Sequence, residues 1–184
     1  RTWERLALTR ARSTAQPPAI AAGVEAVIRQ TLTAVTDPSK IAADARDMRE
    51  KLSAQFPGKN RWDLKYAPGG LIDIEFIAQT LQLCATGHPE VLDPNTIAAL
   101  RKLEAAGLIA GAQATTLIEA ATLEPALTQV LRIALDGTLE PRDATHGLKA
   151  LLLKAAGVED FEVLEERLAA AQSSVRDILS RVLA

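Results

Sequence analysis

The most chemically suggestive stretch of the chain is KYAPGGLIDIEFIAQTLQL, residues 65–83. Gly69 and Gly70 permit a tight turn and a close approach of the backbone to a ligand. The helix predicted to follow them would present N–H groups and the positive end of its dipole to an anion, and Lys65 could add a point charge toward a phosphate. A Gly-Gly turn before a helix is also common, so a phosphate site and an ordinary helix start both remain open on this pattern.

Two carboxylates, Asp73 and Glu75, lie in the same predicted helix. Such a pair could bind Mg²⁺ or do acid–base chemistry. A helix turns about 100° per residue, so side chains two positions apart point about 160° away from each other. We therefore favour an ion pair with a neighbouring arginine for one carboxylate, and helix capping or an interaction with the helix dipole for the other.

A run of charged residues, RDMREK at positions 46–51, is predicted to lie on another helix. It contains two pairs of opposite charge with i,i+4 spacing, which is typical of a solvated helix face. The arginines of the first predicted helix invite the same interpretation: Arg5, Arg10 and Arg12. His88 and His146 lie far apart, without carboxylates or cysteine at ligand spacing. We predict no catalytic side chain and no metal site within the chain.

Composition narrows the class of protein. The chain has 184 residues, of which 48% are hydrophobic and 24% charged, so a soluble globular protein with a sizeable core is predicted. The net charge of −2 argues against nucleic acid or an anionic membrane as a partner. The single cysteine, Cys84, excludes an internal disulfide and suits a reducing cytoplasm. Because the chain opens at Arg1 in a helical pattern, we expect it to be part of a longer polypeptide.

Proline and glycine divide the chain into segments with helical periodicity. Aromatic residues make up only 3%, which disfavours strands. Asp37 and Asp93 each precede a proline, a pattern typical of a helix N-cap, and Pro125 predicts a kink. The prediction is an all-α fold, a helical bundle of seven to eight helices, over about 1–12, 18–35, 38–56, 70–85, 94–106, 111–136, 142–156 and 160–183.

One segment also fits a strand. Residues 71–76, LIDIEF, alternate between apolar and polar side chains as a half-buried strand does. The apolar pattern continues to Leu83, however, and the neighbouring segments are helical. These two observations favour a helix.

Four segments, taken in order and spacing, resemble one enzyme family. They are WERLALTRAR at 3–12, RDMREK at 46–51, DLK at 63–65 and GGLIDIEFIAQ at 69–79. Together they resemble the glutamine synthetase adenylyltransferases, bifunctional enzymes that add AMP to glutamine synthetase and remove it. In that family each of two halves has a nucleotidyltransferase core followed by a helical domain. The chain is similar to the helical domain of the C-terminal, adenylylating half, closely over about 1–110 and more loosely beyond.

The resemblance implies a supporting role in catalysis. The family's Gly-Ser turn and Asp-x-Asp strand are absent, so we expect this chain alone to be inactive. Mg²⁺ and ATP would be cofactors of the full-length enzyme, with none bound to the chain by itself. The helical domain would close one wall of the nucleotide cleft, and Asp73 and Glu75 would hold its basic residues in place. The residues implied to lie near the phosphates are Lys65, Gly69, Gly70, Arg46 and Arg49.

The resemblance also implies an organisation and a set of partners. A helical domain would cover 1–140, and a C-terminal helical extension, 141–184, would pack on the same bundle. The implied partners are glutamine synthetase, the PII signal protein and the chain's own upstream nucleotidyltransferase core, in the cytoplasm.

Two alternatives remain. The chain could be a protein-interaction module that docks glutamine synthetase or PII. A concave basic pocket around Lys65 would favour the nucleotide wall, whereas charges dispersed over a convex surface would favour docking. The sibling uridylyltransferase that acts on PII is the other alternative, and the Trp-Glu-Arg opening at Trp3 disfavours it.

Overall fold

A computed structural model describes residues 1–14, 17–34 and 37–184. Over these ranges the chain forms no strand, which confirms the all-α prediction. The eight α-helices are α1 Thr2–Leu8, α2 Pro18–Thr33, α3 Pro38–Gln55, α4 Leu71–Cys84, α5 Thr96–Ala105, α6 Gly111–Ala134, α7 His146–Ala156 and α8 Phe161–Val182. Short 3₁₀ turns at Pro89–Val91 and Pro141–Asp143 precede α5 and α7. The segment that also fitted a strand is the first part of α4.

The helix starts follow side-chain capping. Asp37 caps α3 as predicted, because its carboxylate accepts a hydrogen bond from the Ser39 amide at 2.9 Å. The predicted cap of α5 at Asp93 is wrong by two residues. Asn95 caps that helix by accepting from the Ala98 amide at 3.0 Å, and Asp93 accepts from the Asn95 amide at 2.8 Å. The acidic side chain thus stabilises the turn that leads into the helix.

Several predicted boundaries shift. The first helix ends at Leu8 rather than near residue 12, and α7 begins at His146 rather than near 142. Thr145 explains the second difference, since its hydroxyl caps α7 through the Leu148 amide at 3.2 Å. The sequence Gln16-Pro17-Pro18 predicts a stop between the first two helices; Gln16 and the predicted end of the second helix at Val35 lie outside the described residues.

Pro125 lies inside α6 and does not end it, so the long helix predicted over 111–136 forms as one element. Proline lacks the N–H that would bond the carbonyl four residues earlier. The helix is held as one element because its apolar side chains pack along its length against α4, α5, α7 and α8.

Helix α4 lies at the centre of the bundle, in contact with α1, α3, α5, α6 and α8. Two hydrophobic clusters fill the space around α6. The cluster at the C-terminal end of α6 we call the upper cluster, and it includes Leu123, Leu127, Leu152 and Leu168. The cluster nearer the N-terminal end of α6 we call the middle cluster, and it includes Ile74, Ile77, Leu117, Ala120 and Val175. A third cluster joins α1, α2, α3 and α4. Helices on both sides of residue 140 share the upper cluster, and the division into 1–140 and 141–184 stays a prediction.

Candidate functional site

The segment between α3 and α4, residues 56–70, carries Lys65 and is held down by side chains from distant parts of the chain. Trp62 is 2% exposed and stacks on Phe161 with ring centroids 5.6 Å apart. Asn60 Nδ2 donates to the Leu139 carbonyl at 3.0 Å. Gln172 Nε2 of α8 donates to the carbonyl of residue 61 at 2.8 Å. We refer to residues 56–70 as the Lys65 loop.

Gly69 and Gly70 pack tightly against the protein itself. Gly69 has a φ of +85°, a conformation that side chains disfavour, and a Cβ there would overlap the backbone of Gln172. A Cβ on Gly70 would overlap the Leu64 carbonyl oxygen. Both glycines are therefore required by close backbone packing at the start of α4.

The amide groups around this helix start already have acceptors. The Gly69 N–H donates to Asp73 Oδ2 at 2.6 Å. The Gly70 N–H donates to the Ala67 carbonyl at 2.8 Å, and the Leu71 N–H to the Leu64 carbonyl at 2.9 Å. The phosphate interpretation of the Gly-Gly turn required unused N–H groups, and these three are occupied.

A concave groove of about 590 Å³ lies on the other side of the Lys65 loop. Three cationic side chains line it, from the loop and from the C-terminal end of α6: Lys59, Lys65 and Arg132. Lys65 Nζ sits 4.8 Å from the centroid of the Tyr66 ring, and Tyr66 stacks in turn on Phe56. Glu75 and Asp63 also line the groove, so two negative charges partly balance the three positive ones.

The two carboxylates of α4 have separate partners, as their angular separation indicated. Asp73 is 2% exposed and binds both the Gly69 amide and the Arg49 guanidinium. Glu75 is partly exposed and binds Arg10. Arg10 therefore does not lie on a purely solvated face, as the first-helix pattern suggested, but forms an ion pair with Glu75 at the edge of the groove.

The structure does not bring all the predicted residues together. Lys65 and Glu75 line the groove, whereas Arg49 is largely buried against Asp73. Arg46 donates to the Leu183 carbonyl at 2.9 Å, and it thus connects α3 to the end of α8. Of the two spaced pairs in the 46–51 run, Asp47 with Lys51 forms an ion pair at 2.5 Å.

Three side chains that sequence reasoning missed are Lys59, Arg132 and Glu124. Lys59 and Arg132 meet at the groove from positions far apart in the chain, so no local pattern marks them. Glu124 did leave a signal, because it falls between Ala120 and Leu127 on the apolar face of α6. It is fully buried, and its burial, reinforced by the charge of Asp73, raises its pKa to about 9.

Within residues 1–14, 17–34 and 37–184, no group of three or more histidine, cysteine, aspartate or glutamate side chains is placed to hold a metal ion. In the same ranges, no helix is long and apolar enough to cross a membrane.

The class of protein is a helical domain: an all-α bundle whose central helix, α4, starts in the segment GGLIDIEF. The family model for GlnD PII-uridylyltransferase matches residues 43–183, and the chain belongs to that family.

Individual relatives carry a different name from the family model. Bifunctional glutamine synthetase adenylyltransferase/adenylyl-removing enzymes of Xanthobacter autotrophicus and Rhodopseudomonas palustris are 42% identical to the chain over 183 residues, 99% of its length. The enzyme of that name from a Bradyrhizobium strain is 40% identical over the same length. The chain spans 18% of the length of the first two relatives and 19% of the third.

Proposed function

We propose that the chain is the helical domain of an enzyme that transfers AMP from ATP to glutamine synthetase, and that the Lys65 groove forms one wall of its nucleotide cleft. The observation that carries this proposal is the convergence of Lys59, Lys65 and Arg132 on one concave surface beside Tyr66. Cationic side chains at such a wall would stabilise the negative charge of a triphosphate. The names of the relatives point to the same reaction.

The cofactors follow from the resemblance. ATP phosphates would bind on the cationic side of the groove, where Lys65 lies over the Tyr66 ring. The family's Asp-x-Asp strand would bind Mg²⁺ in the upstream core, and the metal would neutralise part of the negative charge of the phosphates. In this chain Lys65 would bind and orient the phosphates, and Glu75 would keep Arg10 at the groove's edge.

Lys65 provides the direct test. In the intact enzyme, Lys65→Ala should lower kcat/KM for ATP by about 10–100-fold, because a hydrogen bond to a charged group contributes about 1.5–3 kcal/mol. AMP transfer to glutamine synthetase should be measured against ATP concentration. Lys154→Ala is the matched control, since Lys154 is an exposed lysine of α7 that does not line the groove. Unchanged kinetics and unchanged ATP dependence in Lys65→Ala would refute the nucleotide wall.

The isolated chain is proposed to be inactive and to contribute only together with the core. AMP transfer by the upstream core alone should therefore rise when the core is fused to residues 1–184. Assaying the fusion with ATP and glutamine synthetase, and separately with UTP and PII, distinguishes adenylyl transfer from the uridylyl transfer named in the family model.

A second candidate function is the docking of glutamine synthetase on α2. This helix has one buried residue, Leu32, and exposes an apolar stripe in which Ile20 is 54%, Val24 41% and Val27 62% accessible. We propose glutamine synthetase as the occupant, because it is the protein that the relatives' names give as their target.

Serine substitutions test the docking surface. Combining Ile20→Ser, Val24→Ser and Val27→Ser should weaken binding of purified glutamine synthetase at least about tenfold, since apolar anchors at interfaces contribute about 1 kcal/mol or more each. Titration calorimetry gives the affinity. Leu151→Ser on α7, where Leu151 is 54% exposed, is the control and should leave it unchanged. Equal affinities would reject this occupant, and altered binding of PII or the upstream core would assign the stripe to them.

A further inference from the structure

Three buried polar side chains lie where the upper and middle clusters adjoin. On α6, Glu124 lies next to Leu123 of the upper cluster and four residues after Ala120 of the middle one. Gln172 holds the equivalent place on α8, between Leu168 and Val175. Asp73, in the first turn of α4, is the third member, and all three are at most 6% exposed. We call this set the polar layer.

Glu124 is the unusual member. It has no exposed surface, and neither carboxyl oxygen has a hydrogen-bond partner among the described residues. An ionised carboxylate in such a place would carry a large desolvation cost without compensation, so the neutral form is favoured. Burial first, and the negative charge of Asp73 second, raise the pKa of Glu124 to about 9.

The other two members hold the Lys65 loop. Asp73 accepts from the Gly69 amide at 2.6 Å, close to the loop's C-terminal end. Gln172 donates to the carbonyl of Arg61 at 2.8 Å, near the middle of the loop. The backbone of Gln172 also lies against Gly69 so closely that no Cβ would fit between them. The loop is therefore attached to the layer at two points.

We propose that Glu124 is a positioning residue, whose neutral carboxyl group keeps the polar layer intact and so holds the Lys65 loop against α8. Ionisation of Glu124 would place a second negative charge beside Asp73 in a region of low dielectric, where like charges repel strongly. The repulsion would displace Asp73, weaken its hydrogen bond with the Gly69 amide and loosen the loop. The consequence for AMP transfer rests on the proposed function, whereas the attachment of the loop does not.

The charges around Glu124 are few. Asp73 of α4 is the charged group that acts on it, and Arg49 of α3 is bound to Asp73. The buried residues of α5 and α7, which also pack against α6, are apolar, and the buried polar residue on α8 is the neutral Gln172. We therefore assign the pH response of the polar layer to the ionisation of Glu124.

Trp62 gives a direct readout, because it lies buried in the Lys65 loop and the chain's other tryptophan, Trp3, can be replaced by phenylalanine. In the Trp3→Phe chain, Trp62 fluorescence should shift toward that of an exposed tryptophan with a midpoint near pH 9, the pKa of Glu124. Glu124→Gln, which keeps the shape and stays neutral, should lack this transition. Glu119→Gln, an exposed glutamate of the same helix, should retain it.

Three further measurements make the test decisive. Tyr66→Phe removes the phenolic hydroxyl of the loop and should leave the midpoint unchanged. The infrared spectrum at about pH 7 should show a protonated-carboxyl band that disappears above pH 9, which requires no variant to fold. The urea midpoint should fall as pH rises from 4.5 to 9, since the folded state retains a proton that the unfolded state has lost. An identical fluorescence midpoint in Glu124→Gln, or the absence of the infrared band, would overturn the proposal.

Full-length enzyme separates the two proposals. If AMP transfer by the wild type falls across the same pH range, and transfer by Glu124→Gln does not, the layer positions the Lys65 loop for catalysis. A fluorescence transition without any change in AMP transfer would leave the layer's hold on the loop standing and remove its catalytic role.

Discussion

Replacing Gly69 by alanine should lower the free energy of unfolding by about 2–5 kcal/mol, the sum of backbone strain and overpacking. Gly69 has a φ of +85°, and the new Cβ would overlap the backbone of Gln172. A backbone neighbour cannot turn aside as a flexible side chain can. Either α8 or the Lys65 loop must move, and both belong to the packed part of the bundle.

The chain contains a matched control for this experiment. Gly87 has a φ of +89°, but no described atom beyond its chain neighbours lies within 4 Å of the place that a Cβ would take. Gly87→Ala should therefore show the strain alone, about 1–2 kcal/mol. Urea unfolding followed by circular dichroism gives both values. Similar losses for the two variants would mean that the contact with Gln172 contributes little.

Replacing Asp73 by alanine should cost about 3–5 kcal/mol, because it removes one partner of a buried ion pair. The Asp73 side chain is 2% exposed and that of Arg49 is 11% exposed, so the arginine would be left with a charge that water screens poorly. The Gly69 amide would lose its acceptor as well. Removing Asp73 would also remove the negative charge that helps to raise the pKa of Glu124.

Two variants check the reason for that loss. Asp47→Ala breaks an exposed ion pair with Lys51 and should cost at most about 0.5 kcal/mol. Combining Asp73→Ala with Arg49→Met removes both charges and should recover part of the stability, although the Gly69 N–H stays without its acceptor. A double variant no more stable than Asp73→Ala would show that the unpaired arginine is not the source of the cost.

The helices were largely predictable because their signals are local. Asp37 before a proline marked the start of α3, and Gly107, with a φ of +70°, follows the end of α5. Errors came where the capping residue lay inside the predicted start of a helix. Asn95 lies two positions after Asp93, and Thr145 lies three after Arg142, and these two residues cap α5 and α7.

The candidate site was predictable only in part. The divergence of Asp73 and Glu75 followed from helical geometry, and both carboxylates do pair with arginines. Which arginines they bind did not follow, since Arg10 is 65 residues from Glu75 and Arg49 is 24 from Asp73. Arg46, three positions before Arg49, turns to the end of α8 instead.

The sequence by itself determined the all-α class, the helix that begins at the Gly-Gly turn and the family to which the chain belongs. These depend on periodicity, caps and motif spacing, which act over a few residues. The tertiary structure alone decided that Gly69 serves packing against α8, that Lys65 shares a groove with Arg132 and that Glu124 lies beside Asp73 in a buried layer. Contacts of this kind join residues that are distant in the chain, and burial sets their charge states, so they exist only once the helices have packed.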